Sequence, residues 1–312
     1  MQEKERRSEK DAPLRHDIHV LGDALGRVIR LHRGDTVYET VEQLRQYCKR
    51  QRDCTESLVN ASEQEASRLR DEIATLDRQI TYLVDSCDLD TTIDVIRAFT
   101  VYFHLVNTAE QYHRTRRRRV HEVQPDPTFQ HGSLAALVAF FKRNGLEATQ
   151  IQSLLDNLSI ELVLTAHPTE ATRRSLISKS RQVSTLLEEY DLRHAMTPRQ
   201  LTAWQHEIER EISLLWRTDT IRHVHLQPIN EVKMGIYYLD EILYQAIPRM
   251  YTELETLLKA TYPDACFTIP PFLRVGSWIG GDQDGNPLVA PEMILQALRL
   301  QRTQLIERYR TG

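Results

Sequence analysis

The residues best suited to chemistry fall in one stretch, Glu161-Leu-Val-Leu-Thr-Ala-His167-Pro168-Thr169-Glu170-Ala-Thr-Arg173-Arg174-Ser175. An imidazole titrates near neutral pH and can serve as acid or base. Here it follows a short apolar run, long enough for one buried strand, and precedes a helix that Thr169 or Thr172 can cap. Strand-helix folds collect their reacting groups at that kind of edge. Arg173 and Arg174 fall in the first turns of the helix, where positive charge opposes the helix dipole. Guanidinium groups there suit the oxygens of phosphate or carboxylate. A lone histidine after a strand also fits a satisfied structural group, so this stretch alone leaves both roles open.

A second stretch, Pro271-Phe-Leu-Arg274-Val-Gly276-Ser277-Trp278-Ile-Gly280-Gly281-Asp282-Gln283-Asp284-Gly285-Asn286-Pro287, also passes from a strand into a loop. Gly280, Gly281 and Gly285 permit backbone that other residues resist and let peptide N–H groups approach a ligand. Asp282 and Asp284 offer oxygen to a cation, but the bidentate glutamate that closes a calcium loop is missing. The preferred reading is a structural loop with its carboxylates bonded to backbone N–H groups, which leaves no metal ligand in this chain. Trp278 is either core or an apolar wall beside a reacting centre.

The elements that must position these stretches are mostly helices. Apolar residues at helical spacing predict two helices within 13–50 around His32–Asp35, another over 55–83, and one that starts after Asp88. That last helix carries Asn107-Thr-Ala-Glu110-Gln-Tyr-His113, whose Asn107 and Glu110 either tie neighbouring helices by buried hydrogen bonds, the preferred role, or line a site. Arg114 and Arg116 to Arg119 read as a solvated helix end ahead of a linker at 124–133. Further helices are expected over 134–144, closed at Gly145, over 147–158, after the arginine pair, and after the Thr197-Pro198 cap. A long helix over 230–260 should be kinked or interrupted at Pro248. The resulting division is a charged tail over 1–12, a helical region with its linker over 13–133, and a further region over 134–312.

With 312 residues, 41% of them hydrophobic and 27% charged, the chain has a soluble globular composition and room for one large domain or two small ones. A formal charge of -4 gives no electrostatic case for nucleic acid. No apolar run approaches a membrane span, and no signal peptide opens the chain. The scattered Cys48, Cys54, Cys87 and Cys266 read as reduced thiols of a cytoplasmic protein.

The wording of the two stretches adds a resemblance. Leu164-Thr-Ala-His167-Pro-Thr-Glu170 with Arg173-Arg174-Ser175 resembles the histidine signature of phosphoenolpyruvate carboxylases. The second stretch resembles their Gly-Gly-Asp-Arg-Asp-Gly-Asn-Pro signature in Gly281, Asp282, Asp284, Gly285 and Asn286, with Gln283 where the family usually has arginine. The Asn107–His113 words resemble a helical segment of that family. Thr218-Asp-Thr220-Ile-Arg222 resembles another, with Thr220 as a departure.

The resemblance implies a mainly α fold with a few short β-strands: an N-terminal helical region followed by the first part of a helix-rich (β/α)8 barrel, its strands at 162–166 and 272–278. It implies formation of oxaloacetate and phosphate from phosphoenolpyruvate and bicarbonate, an anaplerotic carbon fixation. His167 would be the catalytic base that promotes carboxyphosphate breakdown. Trp278 would stand by the CO2 pocket. Arg173, Arg174 and Arg222 would hold an anionic activator. Mg2+ or Mn2+ would be bound by residues outside this chain, which would be an N-terminal fragment of a homotetrameric enzyme, inactive alone. The alternative is a non-enzymatic helical module that binds a phosphorylated metabolite or a partner chain.

Overall fold

The structure, a computed structural model, describes residues 11–123, 129–165, 174–218, 227–282 and 289–311. In chain order the elements are α1 (Ala12–Arg33), α2 (Asp35–Leu58), α3 (Glu63–Asp85), α4 (Leu89–Val123), α5 (Leu134–Arg143), α6 (Ala148–Asp156) and β1 (Ile160–Leu164). Then come α7 (Arg174–Asp191), a 3-10 turn (Arg193–Ala195), α8 (Pro198–Arg217), α9 (Pro228–Tyr238), a π-helical turn (Leu239–Leu243), α10 (Tyr244–Thr261), β2 (Leu273–Ser277) and α11 (Pro291–Thr311). The mainly α class expected from the sequence is what forms.

Local chemistry sets the boundaries. Gly34 adopts φ +82°, and its N–H closes α1 on the Arg30 carbonyl before α2 begins. Ser62 and Glu65 form a capping box at the start of α3, and Thr197 with Gln200 forms another ahead of Pro198, the first residue of α8. After α5, Leu146 N–H bonds to the Phe141 carbonyl and Gly145 N–H to the Lys142 carbonyl, with Gly145 at φ +65°. That pair of bonds is the glycine-terminated ending expected there.

The chain divides into two compact units. The first comprises Met1–Arg116 and Ser175–Thr220, the second Arg117–Arg174 and Ile221–Gly312. In the first unit, α1, α4, α7 and α8 bury a core that includes Leu21, Val28, Leu105, Leu187, Ile208 and Ile212. Trp204 sits at its edge and donates from its indole N–H to the Leu186 carbonyl at 2.8 Å.

A polar hub ties three of these helices together. The Arg116 guanidinium reaches Asp17 of α1 at 2.8 Å and both Asp191 oxygens of α7 at 2.8 Å, while the Tyr112 hydroxyl donates to Asp191. Burial pushes the Asp17 carboxyl above its ordinary pKa, against the pull of Arg116, and pushes the Tyr112 hydroxyl up as well. Two sequence expectations are corrected here. Asn107 and Glu110 are exposed, because the buried face of α4 runs through Leu105, Ala109 and Tyr112, so the ties come from Tyr112 and Arg116 instead. Arg116 is an internal ion-pair partner, not part of a solvated end.

In the second unit, α5, α6 and α10 enclose Val138, Ile151, Leu155, Leu254, Leu258 and Phe272. Arg118 pairs with Glu253 of α10 at 3.5 Å. The long helix expected after Pro228 is interrupted, but at 239–243 and not at Pro248, which lies inside α10. Proline cannot bond to the Tyr244 carbonyl four residues back, yet α10 continues through it, with the π-helical turn directly before α10.

Candidate functional site

β1 and β2 lie side by side and parallel, in the register Ile160↔Leu273 to Leu164↔Ser277. Each is shifted or trimmed by one or two residues against the strands expected from the sequence, 162–166 and 272–278. The pairing runs on at both ends: Ile160 N–H donates to the Phe272 carbonyl at 2.8 Å, and Trp278 N–H to the Leu164 carbonyl at 2.9 Å. Because the strands are parallel, both signature stretches leave the sheet at its C-terminal edge. The Leu164 carbonyl that holds Trp278 is three residues before His167.

His167 itself lies outside the described residues, as do Arg173, Arg222, Asp284, Gly285 and Asn286. Arg174 opens α7. What the structure shows of the site is therefore the C-terminal edge of the strand pair and the turn after β2.

That turn is tightly built. The Trp278 carbonyl accepts from Gly281 N–H at 2.9 Å and from Asp282 N–H at 3.1 Å. Both N–H groups are spent inside the turn, so of the glycine N–H groups expected to approach a ligand the one on Gly281 does not. Gly280 has φ +79°, and a Cβ there would stand 2.5 Å from Val232 Cγ2 of α9. Both facts demand glycine. Gly235 of α9 likewise makes room for Ile279, whose Cδ1 would come within 2.8 Å of a Cβ. Two small residues thus seat the turn on α9. Gly276 on β2 leaves space for the Glu161 carboxylate, 3.0 Å from where a Cβ would be.

Trp278 is 61% exposed in this chain. An indole held by its backbone at the strand end, open to solvent, can act as an apolar wall for whatever occupies the edge. Asp282 is exposed too. Among the described residues no three His, Cys, Asp or Glu side chains come together as a metal site would require.

One group was not singled out in the sequence. Glu231, in the first turn of α9, is only 7% exposed, and its Oε1 has no hydrogen-bond partner among the described residues. Burial raises its pKa above the ordinary carboxyl value. An acid in the first turn of a helix is ordinary in a sequence, because the helix dipole favours it there. Nothing in the local words announces that this one is buried next to Val232, the residue on which Gly280 rests.

Comparison with known proteins follows from these two stretches. The family model described as phosphoenolpyruvate carboxylase matches residues 14–311. The chain belongs to the phosphoenolpyruvate carboxylase family. It is 40% identical over 294 residues to a phosphoenolpyruvate carboxylase of Roseiflexus castenholzii, covering 94% of this chain and 29% of that protein. It is 34% identical over 307 residues to that of Azorhizobium caulinodans, covering 96% and 30%. The figures for that of Nitrosomonas europaea are 34% over 307 residues, covering 98% and 31%. The chain thus spans about three tenths of the length of the curated relatives it matches. Within this family both signature stretches of the present chain, His167 and Gly281–Asn286, fall inside the matched region. Among the described residues no helix is long and apolar enough to cross a membrane.

Proposed function

We propose that this chain supplies the N-terminal share of a phosphoenolpyruvate carboxylase, which forms oxaloacetate and phosphate from phosphoenolpyruvate and bicarbonate. The observation that carries the reading is the parallel pairing of β1 with β2, which sends the histidine stretch and the glycine-aspartate stretch out of the sheet at one edge. Two family signatures far apart in sequence gain a common address. The strand pair is also exposed on both faces, with Ile160, Leu162 and Val163 partly open. Parallel strands are ordinarily covered on both faces, so further strands and helices, as in a (β/α)8 barrel, are the natural completion. Reacting groups of such barrels gather at the C-terminal strand ends.

In this reading bicarbonate attacks the phosphate of phosphoenolpyruvate, and the products are carboxyphosphate and the enolate of pyruvate. His167 then takes the carboxyl proton of carboxyphosphate, whose C–O bond breaks to give CO2 and phosphate. Trp278 provides the apolar wall that keeps CO2 near the enolate, which captures it. Arg173, Arg174 and Arg222 hold an anionic activator. The ligands of Mg2+ or Mn2+ are assigned to polypeptide of the kind the relatives carry beyond the match, and no step is drawn through the ion. The homotetramer belongs to the complete enzyme. The four cysteines are free thiols, which suits the reducing cytoplasm.

The test is a coupled assay for oxaloacetate with Mg2+. The 312-residue chain alone is expected to give none. The same chain fused to the part of the Roseiflexus relative that lies beyond the match is expected to turn over. Turnover by the chain alone, or a folded fusion without turnover, would contradict the reading.

A further inference from the structure

Helix α4 is apolar on two opposite sides. One side carries Ala98, Val101, Leu105 and Ala109 into the core of the first unit, each at most 1% exposed. On the opposite side Leu89, Ile93, Ile96 and Phe103 are 75%, 45%, 57% and 60% exposed. A surface helix ordinarily keeps one apolar stripe and one polar face, and a helix apolar all round is a buried one. The outward residues also keep a fixed rhythm. Steps of four and three, with Thr100 filling the remaining place, give the 3.5-residue period by which one helix seats against another. The Thr100 hydroxyl already donates to the Ile96 carbonyl at 2.8 Å, so it brings no unmet donor into the seam. Asp88 caps the helix through Thr91 N–H at 2.7 Å, which fixes where the seam begins.

We propose that this seam receives a helix from the polypeptide that family relatives carry beyond the part matched here. About seven tenths of each of those relatives lies outside the match, more than enough chain to supply it. A second copy of the present chain fits less well. Antiparallel pairing about Ile96 would set the Arg97 guanidiniums of the two copies beside the axis, against each other. Arg97 is also occupied over the Trp216 ring, 5.9 Å from its centroid, and is not free to swing away without losing that contact. The occupant is therefore an amphipathic helix with its own apolar seam and a basic residue opposite Asp90. This inference needs the family relationship and not the carboxylase reaction.

Ile96→Cys places a thiol at the centre of the seam, at a site already more than half exposed. Its labelling is followed by peptide mass, which separates it from the exposed Cys48 and Cys266. In the free 312-residue chain it should label as fast as Cys48, and the chain should sediment as a monomer. In the fusion to the remainder of the Roseiflexus relative it should label at least tenfold more slowly. The separately expressed remainder, added to the free chain, should slow it too, and Phe103→Glu should relieve that protection. Equal labelling in the free chain and in both combinations would overturn the proposal. Protection that grows with the concentration of the free chain alone would overturn it in favour of a second copy. Loss of oxaloacetate formation with protection intact would count against the proposed function and leave this inference standing.

Discussion

The first compact unit encloses a full core and a polar hub and leaves one apolar seam of α4 outward; the second leaves its sheet uncovered. In the first, α1, α4, α7 and α8 enclose a continuous core, and Arg116 finds two carboxylates within it. In the second, α5, α6 and α10 bury one side of Phe272, yet the strand that precedes His167 is open on both faces. The residues assigned to chemistry belong to the open unit. A closed helical unit can be stable on its own resources, whereas a reaction edge made of strand ends needs its remaining walls.

The largest effect should come from the closed unit. Arg116→Ala removes the cation from a hub whose Asp17 is buried and leaves a carboxylate without its partner. Breaking a buried pair in that way costs about 3–5 kcal/mol, and the partial exposure of Asp191 places the expectation near the lower figure. Urea unfolding of the 312-residue chain measures it. A loss below about 1 kcal/mol would mean that the hub is not what holds these helices.

In the open unit, Gly280→Ala forces a side chain into a left-handed backbone and against Val232. Strain of that type costs about 1–3 kcal/mol. In the fusion protein the same change should lower turnover, because the turn that carries Trp278 must lift off α9. Unaltered stability and unaltered turnover together would show that the turn is not seated as described.

Glu231→Gln sharpens the contrast through pH. Burial raises the folded-state pKa of Glu231 above its ordinary 4.5. Between those two values the folded chain holds more protons than the unfolded one, so stability falls as pH rises through that window. The stability carried by the neutral acid is complete below about 4.5 and lost above the folded value. The amide cannot ionise, so the variant should be more stable than the parent at neutral pH and should lack that fall. Thermal unfolding across pH 4 to 8 checks it, and a variant less stable at neutral pH would mean that Glu231 is ionised and paired.

Much of this was legible in the sequence because it rests on local chemistry. Gly34, Gly145, the Thr197-Pro198 cap and the Asp88 start each fix a helix end within a few residues, and each forms where expected. The two apolar runs ahead of His167 and Trp278 became strands. Tertiary relations were not legible. Nothing local tells that Arg116 turns inward while Arg117 and Arg119 stay exposed, since that depends on which face of α4 meets α1 and α7. Nor does a first-turn glutamate reveal that its side chain will be buried. The glycines of the site turn were read as bringing N–H groups to a ligand, but the Trp278 carbonyl accepts the one on Gly281, a bond pattern that only three-dimensional structure discloses.

The most direct test of the claim that the open unit carries the reaction is His167→Asn in the fusion protein, with oxaloacetate and phosphate measured side by side. A base contributes about 10²- to 10⁴-fold to its step, and here that step follows phosphate transfer. The account predicts that oxaloacetate formation falls by that order while bicarbonate-dependent phosphate release from phosphoenolpyruvate continues. Oxaloacetate formation at the parent rate would contradict it.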